Sequence, residues 1–353
     1  MTNNTWITTT EDFWLDKWDS IQKENVSGMF TQTSSWLKSY MAYGFDFELL
    51  LKVNPEGEIL AGLGNLIVKA GPFRSYICPW GPFLKEVNDF EEALDQFLSR
   101  ARELKSFLAQ LNPGVFDLNS NWKKSLEGFK FQEGDILKKI YAPQHFNLIQ
   151  LPEQSEQEYE KILLKSFSEN AKRNIKTGLK NNLILHRVKT KEELKNAYQC
   201  FESNAAREGY PIRAWEDVEE SLEDAVQKEN SILFYAEIEG QIIGSIWAAK
   251  GGKMLSYIMG GVDRTEKDFK LGHLLQWKCM LEAIEQGYSQ YNISVGGSDG
   301  VVRFKNSFYP TTQSTHGPFY KVLDPLKFSI FKSVFPFFER NKKLAAKILK
   351  LIR

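Results

Sequence analysis

Residues 231–263, SILFYAEIEGQIIGSIWAAKGGKMLSYIMGGVD, hold three apolar, β-rich runs parted by Glu-Gly-Gln and Gly-Gly-Lys. Such runs with glycine between them predict a three-strand antiparallel meander. A meander has faces to cover, and the chain supplies helical stretches at 154–181, 190–207, 214–229 and 270–287, then a further strand in QYNISVGG. The same order occurs earlier. Residues 11–23 place Phe13, Trp14, Trp18 and Ile21 at helical spacing, and TQTSSWLKSYMAYG reads as a second helix. The hairpin FELLLKV, NPEGE, ILAGLGNLIVKA follows, then YICPWGPFL, a long helix DFEEALDQFLSRARELKSFLAQL and a strand at GVFDLN. Helices, meander, helix and strand thus occur twice, which predicts an α/β (mixed α+β) chain of two tandem domains with mostly antiparallel sheets flanked by helices.

A length of 353 residues suits two cores better than one. The boundary is expected between Pro143 and Gln150, giving a second domain of 148–317. The first domain is then 1–147 plus 318–353, because the strand FYKVL after Gly317 can return to it. Formal net charge is zero, so a polyanion must be met by a local patch and not by a bulk field. Cys78, Cys200 and Cys279 lie far apart, as do the four histidines, so neither a disulfide framework nor a metal site is expected. No signal peptide or spanning run is legible, and a cytoplasmic location is expected.

Three stretches carry candidate chemistry. In VVRFKNSFYP (301–310) an extended reading puts Arg303 and Lys305 on one face, with Val302 and Phe304 on the other. Two cations aimed together either pair with carboxylates or meet an anion. In SENAKRNIKTGLKN, Arg173, Lys176 and Lys180 are spaced by three and four along one helical face, opposite Phe167, Ala171, Ile175 and Leu179. Solvated surface is the ordinary explanation of such a run; the lack of acidic residues after Glu169 suits a phosphate backbone. Lys267–Gly272 follows the meander where an acyl-CoA-dependent transferase would cradle pyrophosphate at a helix N-terminus, yet it keeps a single glycine. No Ser-His-Asp or Cys-His arrangement is present in the sequence pattern, which suits aminolysis of an activated ester without a covalent nucleophile.

NAKRNIKTGLKNNL, YIMGGVD, LLQWKCMLEAIEQGYSQYNISVGG and VVRFKNSF, in that order, resemble segments of the Fem family of aminoacyl-tRNA-dependent peptidyltransferases. FTQTSSWLKSY and PWGPFL resemble that family's first domain. The resemblance implies two GNAT-like domains, the last segment returning to the first, and transfer of an amino acid from aminoacyl-tRNA to an amine of a peptidoglycan precursor. It implies a catalytic role for Lys305 and Phe304, with Asp117 near the acceptor amine. It further implies substrate contacts from Lys38, Arg207 (Arg213 being its rival), Tyr257 and Arg303, and tRNA contacts from Arg173, Lys176 and Lys180. Asn292 stands where the family has aspartate, and the coiled-coil arm of some members is missing. Aminoacyl-tRNA is then a co-substrate, no resident cofactor or metal is called for, and a monomer is expected. The alternatives are an acyl-CoA-dependent N-acyltransferase acting on a sugar or lipid amine, and a non-catalytic binding protein of the same fold.

The C-terminal stretch LKFSIFKSVFPFFERNKKLAAKILKLIR is aromatic first and basic after. Its phenylalanines can close the first domain's core, while 340–353 reads as a basic amphipathic helix able to lie on an anionic membrane at the inner face. Pro336 is expected to split the stretch into two helices.

Overall fold

A computed structural model of the chain describes residues 4–116, 118–138, 140–181, 183–263 and 268–340. In chain order the regular elements are β1 (Thr5–Thr9), α1 (Asp12–Glu24), α2 (Ser34–Lys38), β2 (Asp46–Val53), β3 (Ile59–Ala70), β4 (Phe73–Cys78) and β5 (Phe83–Leu84). Then come α3 (Phe90–Glu103), β6 (Leu108–Leu111), α4 (Ser120–Gly128), β7 (Gln132–Glu133), β8 (His145–Gln150), α5 (Tyr159–Ser166), α6 (Glu169–Leu179) and β9 (Ile184–Arg187). The chain continues with α7 (Lys191–Glu208), α8 (Trp215–Gln227), β10 (Ser231–Ile238), β11 (Gln241–Gly251), β12 (Met254–Val262) and α9 (Leu271–Glu285). It ends with β13 (Gln290–Asn292), α10 (Asp299–Asn306), β14 (Thr311–Ser314), β15 (Phe319–Val322) and α11 (Pro325–Arg340).

These elements form two compact units. One comprises Met1–Trp18, Tyr40–Gln144 and Thr315–Arg353, the other Asp19–Ser39 and His145–Ser314. The first unit has a sheet in the order β1-β2-β3-β4-β6-β15-β7, with β5 on β3. Phe319–Val322 joins it as a strand antiparallel to β6, Phe319 opposite Leu111. Helix α3 packs on one face through Phe90, Leu94, Phe97 and Leu98, all buried against Leu63, Tyr76 and Leu111.

The second unit has a sheet in the order β14-β8-β13-β12-β11-β10-β9. Alternation along β10 serves two cores. Ile232, Phe234 and Ala236 meet α6 and α9, through Ala171, Ile175, Leu274 and Met280. Leu233 and Tyr235 meet α7 and α8, through Leu194, Tyr198, Phe201 and Trp215. Residues 19–39 lie in this unit, although 1–147 is the sequence-based span of the first. Buried Asp19 explains it: the carboxylate accepts from the Ser34 amide (2.7 Å), the Ser34 hydroxyl (2.6 Å) and Asn230 Nδ2 (2.9 Å). A carboxylate taken out of water must find such donors, and Asn230 beside β10 supplies one.

Several expected elements differ. Residues 299–306 are helix and not strand, so Arg303 and Lys305 do not share a face; Phe304, Lys305 and Phe308 turn inward instead. The helix beginning near residue 89 stops at Glu103, Lys105 takes a positive φ of 53°, and the expected helical end becomes strand β6. Consequently 114–119 forms no strand among the described residues. The stretch 154–181 is two helices, because Ser168 caps α6 by accepting from the Ala171 amide at 3.2 Å. On α6, Gly178 and not Leu179 faces the core; Leu179 is exposed. Pro336 lies within α11, whose backbone continues past it to Arg340. The membrane reading of 340–353 falls, apart from Arg340, outside the described residues, as does Asp117.

Candidate active site

Strands β12 and β13 run parallel, paired from Met254–Gln290 to Ser256–Asn292. Beyond that point the pairing stops. On its other edge, β12 carries a bulge against β11, where Trp247 faces Met259 but Ala248 faces Tyr257. The extra residue reverses the alternation. Tyr257 therefore packs with the α9 core, while Met259 packs with the α7 core.

Helix α10 brings Lys305 to this parting of the strands. Lys305 is buried, 5% exposed, and its ammonium lies 5.7 Å from the Tyr257 ring centroid. It donates to Ser294 Oγ (2.8 Å), Gly296 O (3.1 Å) and Val295 O (3.4 Å). No carboxylate pairs with it among the described residues. Burial without a counter-charge pulls its pKa down to about 8.

The acceptors come from a tight loop. Ser294 holds a positive φ of 60°, sparsely populated by a residue with a side chain, and Gly296 and Gly297 follow at 74° and 117°. Asn292 pins the loop: its Oδ1 accepts from the amides of Ser294 (3.0 Å) and Asn147 (3.2 Å). An amide here keeps both bonds and places no negative charge beside the ammonium. On the other side of α10, Phe304 meets the His273 ring edge-on, centroids 4.8 Å apart. His273, on α9, is within 3.3 Å of Ser307 Oγ and 3.5 Å of Asn174 Nδ2. Burial, then the neighbouring Lys270, pushes its pKa down to about 4, so the imidazole is neutral near pH 7.

Residues 165–306 match the family of the acetyltransferase (GNAT) domain. Over the whole chain the fold is that of tandem GNAT-like proteins. The crystal structure of FemX superposes with a TM-score of 0.76 at 16% identity, covering 92% of this chain and 99% of that one. L-PGS from Bacillus licheniformis gives 0.55 at 12% identity, over 89% and 92% of the two chains. The C-terminal domain of a putative lysylphosphatidylglycerol synthetase from Agrobacterium fabrum gives 0.53 at 10%, over 92% and 97%. No curated protein matches by sequence.

Helix α9, within the matched residues, begins at Leu271 after Lys270, whose φ is 59°. The Asp268 carboxylate accepts from the Lys270 amide at 3.0 Å and pairs with the Lys270 ammonium. A carboxylate thus lies at the helix start, where a pyrophosphate would need open N–H groups. Lys267 is outside the described residues.

The other candidates separate into four places. Arg213 donates from Nη1 to Ser39 O at 3.0 Å, next in sequence to half-buried Lys38 at the end of α2. Arg213 also lines a cavity of about 260 Å³ with Trp36, Tyr210, Trp247 and Met259. Arg207 lies elsewhere, donating to Val262 O (3.1 Å) and Asn204 Oδ1 (2.5 Å) beside an open groove that includes Glu193 and Asp263. Arg303 is exposed on α10. Arg173, Lys176 and Lys180 are exposed together along α6, while Lys172 pairs with Glu169 at 2.9 Å. Sequence reasoning missed His273, Ser294 and the cavity aromatics; the Gly-Gly after Val295 was the available signal for the loop.

Proposed function

We propose that the chain is an aminoacyltransferase that moves an amino acid from aminoacyl-tRNA to an amine of a peptidoglycan precursor. The observation that carries this reading is the setting of Lys305. A buried ammonium facing oxygen acceptors and an aromatic ring, with no carboxylate to neutralise it, can stabilise charge that develops during a reaction. In aminolysis the amine nitrogen attacks the ester carbonyl carbon, and the carbonyl oxygen becomes an oxyanion. The carbon–oxygen bond to the ribose then breaks, and the amine's proton ends on the ribose hydroxyl. Lys305 is the donor to that oxyanion, turning its long contact to Val295 toward it, and Phe304 sets the tilt of α10 through His273.

Two further features support the donor and acceptor classes. Asp268 at the start of α9 disfavours a coenzyme A pyrophosphate there. The three exposed cations of α6 suit a nucleic-acid backbone. For the precursor, Lys38 and Arg213 are the pair of choice over Arg207, since the Arg213–Ser39 contact brings the guanidinium to the end of α2. Asp117 stays a proposal from resemblance alone. The fold shared with FemX agrees with this reading, and two of the similar structures carry names of lysylphosphatidylglycerol synthesis.

Filter binding of the full chain to charged tRNA, beside calorimetry with acetyl-CoA, tests it. Retention of charged tRNA that falls steeply with salt is the expected outcome. Tight acetyl-CoA binding without tRNA retention would make the chain an acyl-CoA-dependent N-acyltransferase instead.

A further inference from the structure

Near the end of strand β11 lies a second buried lysine, which the transfer reaction does not use. Ile246 and Ala248 face the α9 core, and alternation puts Lys250 on that same side. Lys250 is 4% exposed, yet its ammonium donates no hydrogen bond among the described residues; Glu229, at 3.8 Å, is the carboxylate within reach. Other cations crowd the same place. Arg187 on β9 reaches Glu282 (3.1 Å) and Glu229 (3.4 Å), and Lys278 on α9 stands 3.8 Å from Glu282. Lys23 on α1 donates to Lys228 O at 2.6 Å. Four cations therefore face two carboxylates. Burial pulls the Lys250 pKa down to about 8; Glu229 opposes the fall, and Arg187 and Lys23 add to it. Glu229 is a poor counter-ion. Its side chain is 65% exposed, both its contacts are long, and its backbone holds a positive φ of 54°. An ammonium taken out of water is costly unless it is bonded or paired, and this one lacks its acceptor.

We propose that Lys250, with Arg187 and Lys23 beside it, binds a terminal phosphate, either inorganic phosphate or the phosphate of a small monoester. Phosphate oxygens accept from an ammonium and a guanidinium together, and a dianion offsets more charge than one carboxylate does. Its entry displaces the exposed Glu229 arm and leaves the Arg187–Glu282 pair in place. A backbone phosphodiester fits badly. It carries a single charge, and esters on two sides keep its oxygens from an ammonium buried this far. None of these residues is assigned to the transfer reaction above, so failure of this site would leave that reading intact.

Calorimetry of the full chain at pH 7, titrated with inorganic phosphate at constant ionic strength, tests the proposal. One equivalent should bind with a Kd of about 1 mM or tighter. The melting temperature should rise with phosphate, since a ligand of the folded state stabilises it. Lys250→Met should weaken binding at least about tenfold and leave the chain folded, because an apolar side chain of similar length replaces a buried, unbonded cation. Glu229→Gln removes the competing carboxylate at an exposed position and should tighten binding about threefold. Glycerol 3-phosphate separates the sources: binding as tight as phosphate assigns the site to monoesters, and much weaker binding assigns it to the free anion. Absence of both binding heat and a melting shift up to about 10 mM phosphate would overturn the proposal. So would a folded Lys250→Met chain that binds like wild type, weaker binding by Glu229→Gln, or dimethyl phosphate that binds as tightly as phosphate.

Discussion

Helices α6 and α10 each carry basic residues, and they use them in opposite ways. Arg173, Lys176 and Lys180 stand in solvent, where each cation costs little and binds little by itself. Lys305 is buried with three uncharged oxygen acceptors and is held against its own solvation. A cation kept in such a place lowers stability, and it persists where its charge serves something else. The exposed row fits a partner with many charges; the buried one fits a single developing charge.

The largest expected effect breaks the comparison at α10. Lys305→Ala should lower the rate of aminoacyl transfer by about 10²–10³, as loss of one oxyanion donor does, while tRNA affinity stays within about twofold. Single-turnover kinetics and filter binding read the two apart; a normal rate removes the catalytic role. The second effect is on stability. The folded chain releases the Lys305 proton near pH 8, while the unfolded chain holds it to about 10.4, so between these values the unfolded state binds more protons and stability rises with pH. Below pH 8 the full cost of burial is present. Lys305→Met should therefore be more stable than wild type at pH 7 by about 1–3 kcal/mol, and the difference should shrink toward pH 10. Urea melts at both pH values measure it.

The exposed row gives the next effect. Arg173→Glu/Lys176→Glu/Lys180→Glu should weaken tRNA binding and flatten its salt dependence by about 0.7–0.9 in log–log slope per lost phosphate contact. An unchanged slope would return α6 to ordinary surface. The smallest effect sharpens the line between the classes. Arg303→Ala, two residues from Lys305 but exposed, should move stability by no more than about 0.5 kcal/mol. A larger loss in thermal melts would mean that Arg303 is held as Lys305 is.

Much of the architecture was legible because periodicity reports burial. The meander of β10, β11 and β12 and the hairpin of β2 and β3 stand where alternating apolar runs and glycine turns put them. The misreadings share a cause. VVRFKN has the residues of a strand, but Phe304 and Phe308 four apart pack on His273, a contact formed by residues 31 and 35 positions away in sequence. The α3–β6 boundary depends on Lys105 adopting a positive φ, which no propensity signals for lysine. At the site, motif order pointed to Lys305 and Phe304, whereas the Ser294 hydroxyl and the neutral His273 become visible only when α9, α10 and the loop after β13 are folded together. Charge was plain in the sequence at both basic helices; burial, which separates their roles, was not.

Gly178 joins those two roles in a different way. With no side chain there, α6 settles onto α9 so closely that an added Cβ would sit 3.1 Å from Leu274 Cβ. One helical turn earlier Asn174 reaches His273, and His273 touches Phe304, the neighbour of Lys305. The interval between the outer cations and the inner one is therefore set by close-packed helices and not by a loop. It acts as a ruler. A polyanion gripped along α6 would present its end to Lys305 only if its own dimensions match that interval, so selection by length would be written into a glycine that touches no ligand.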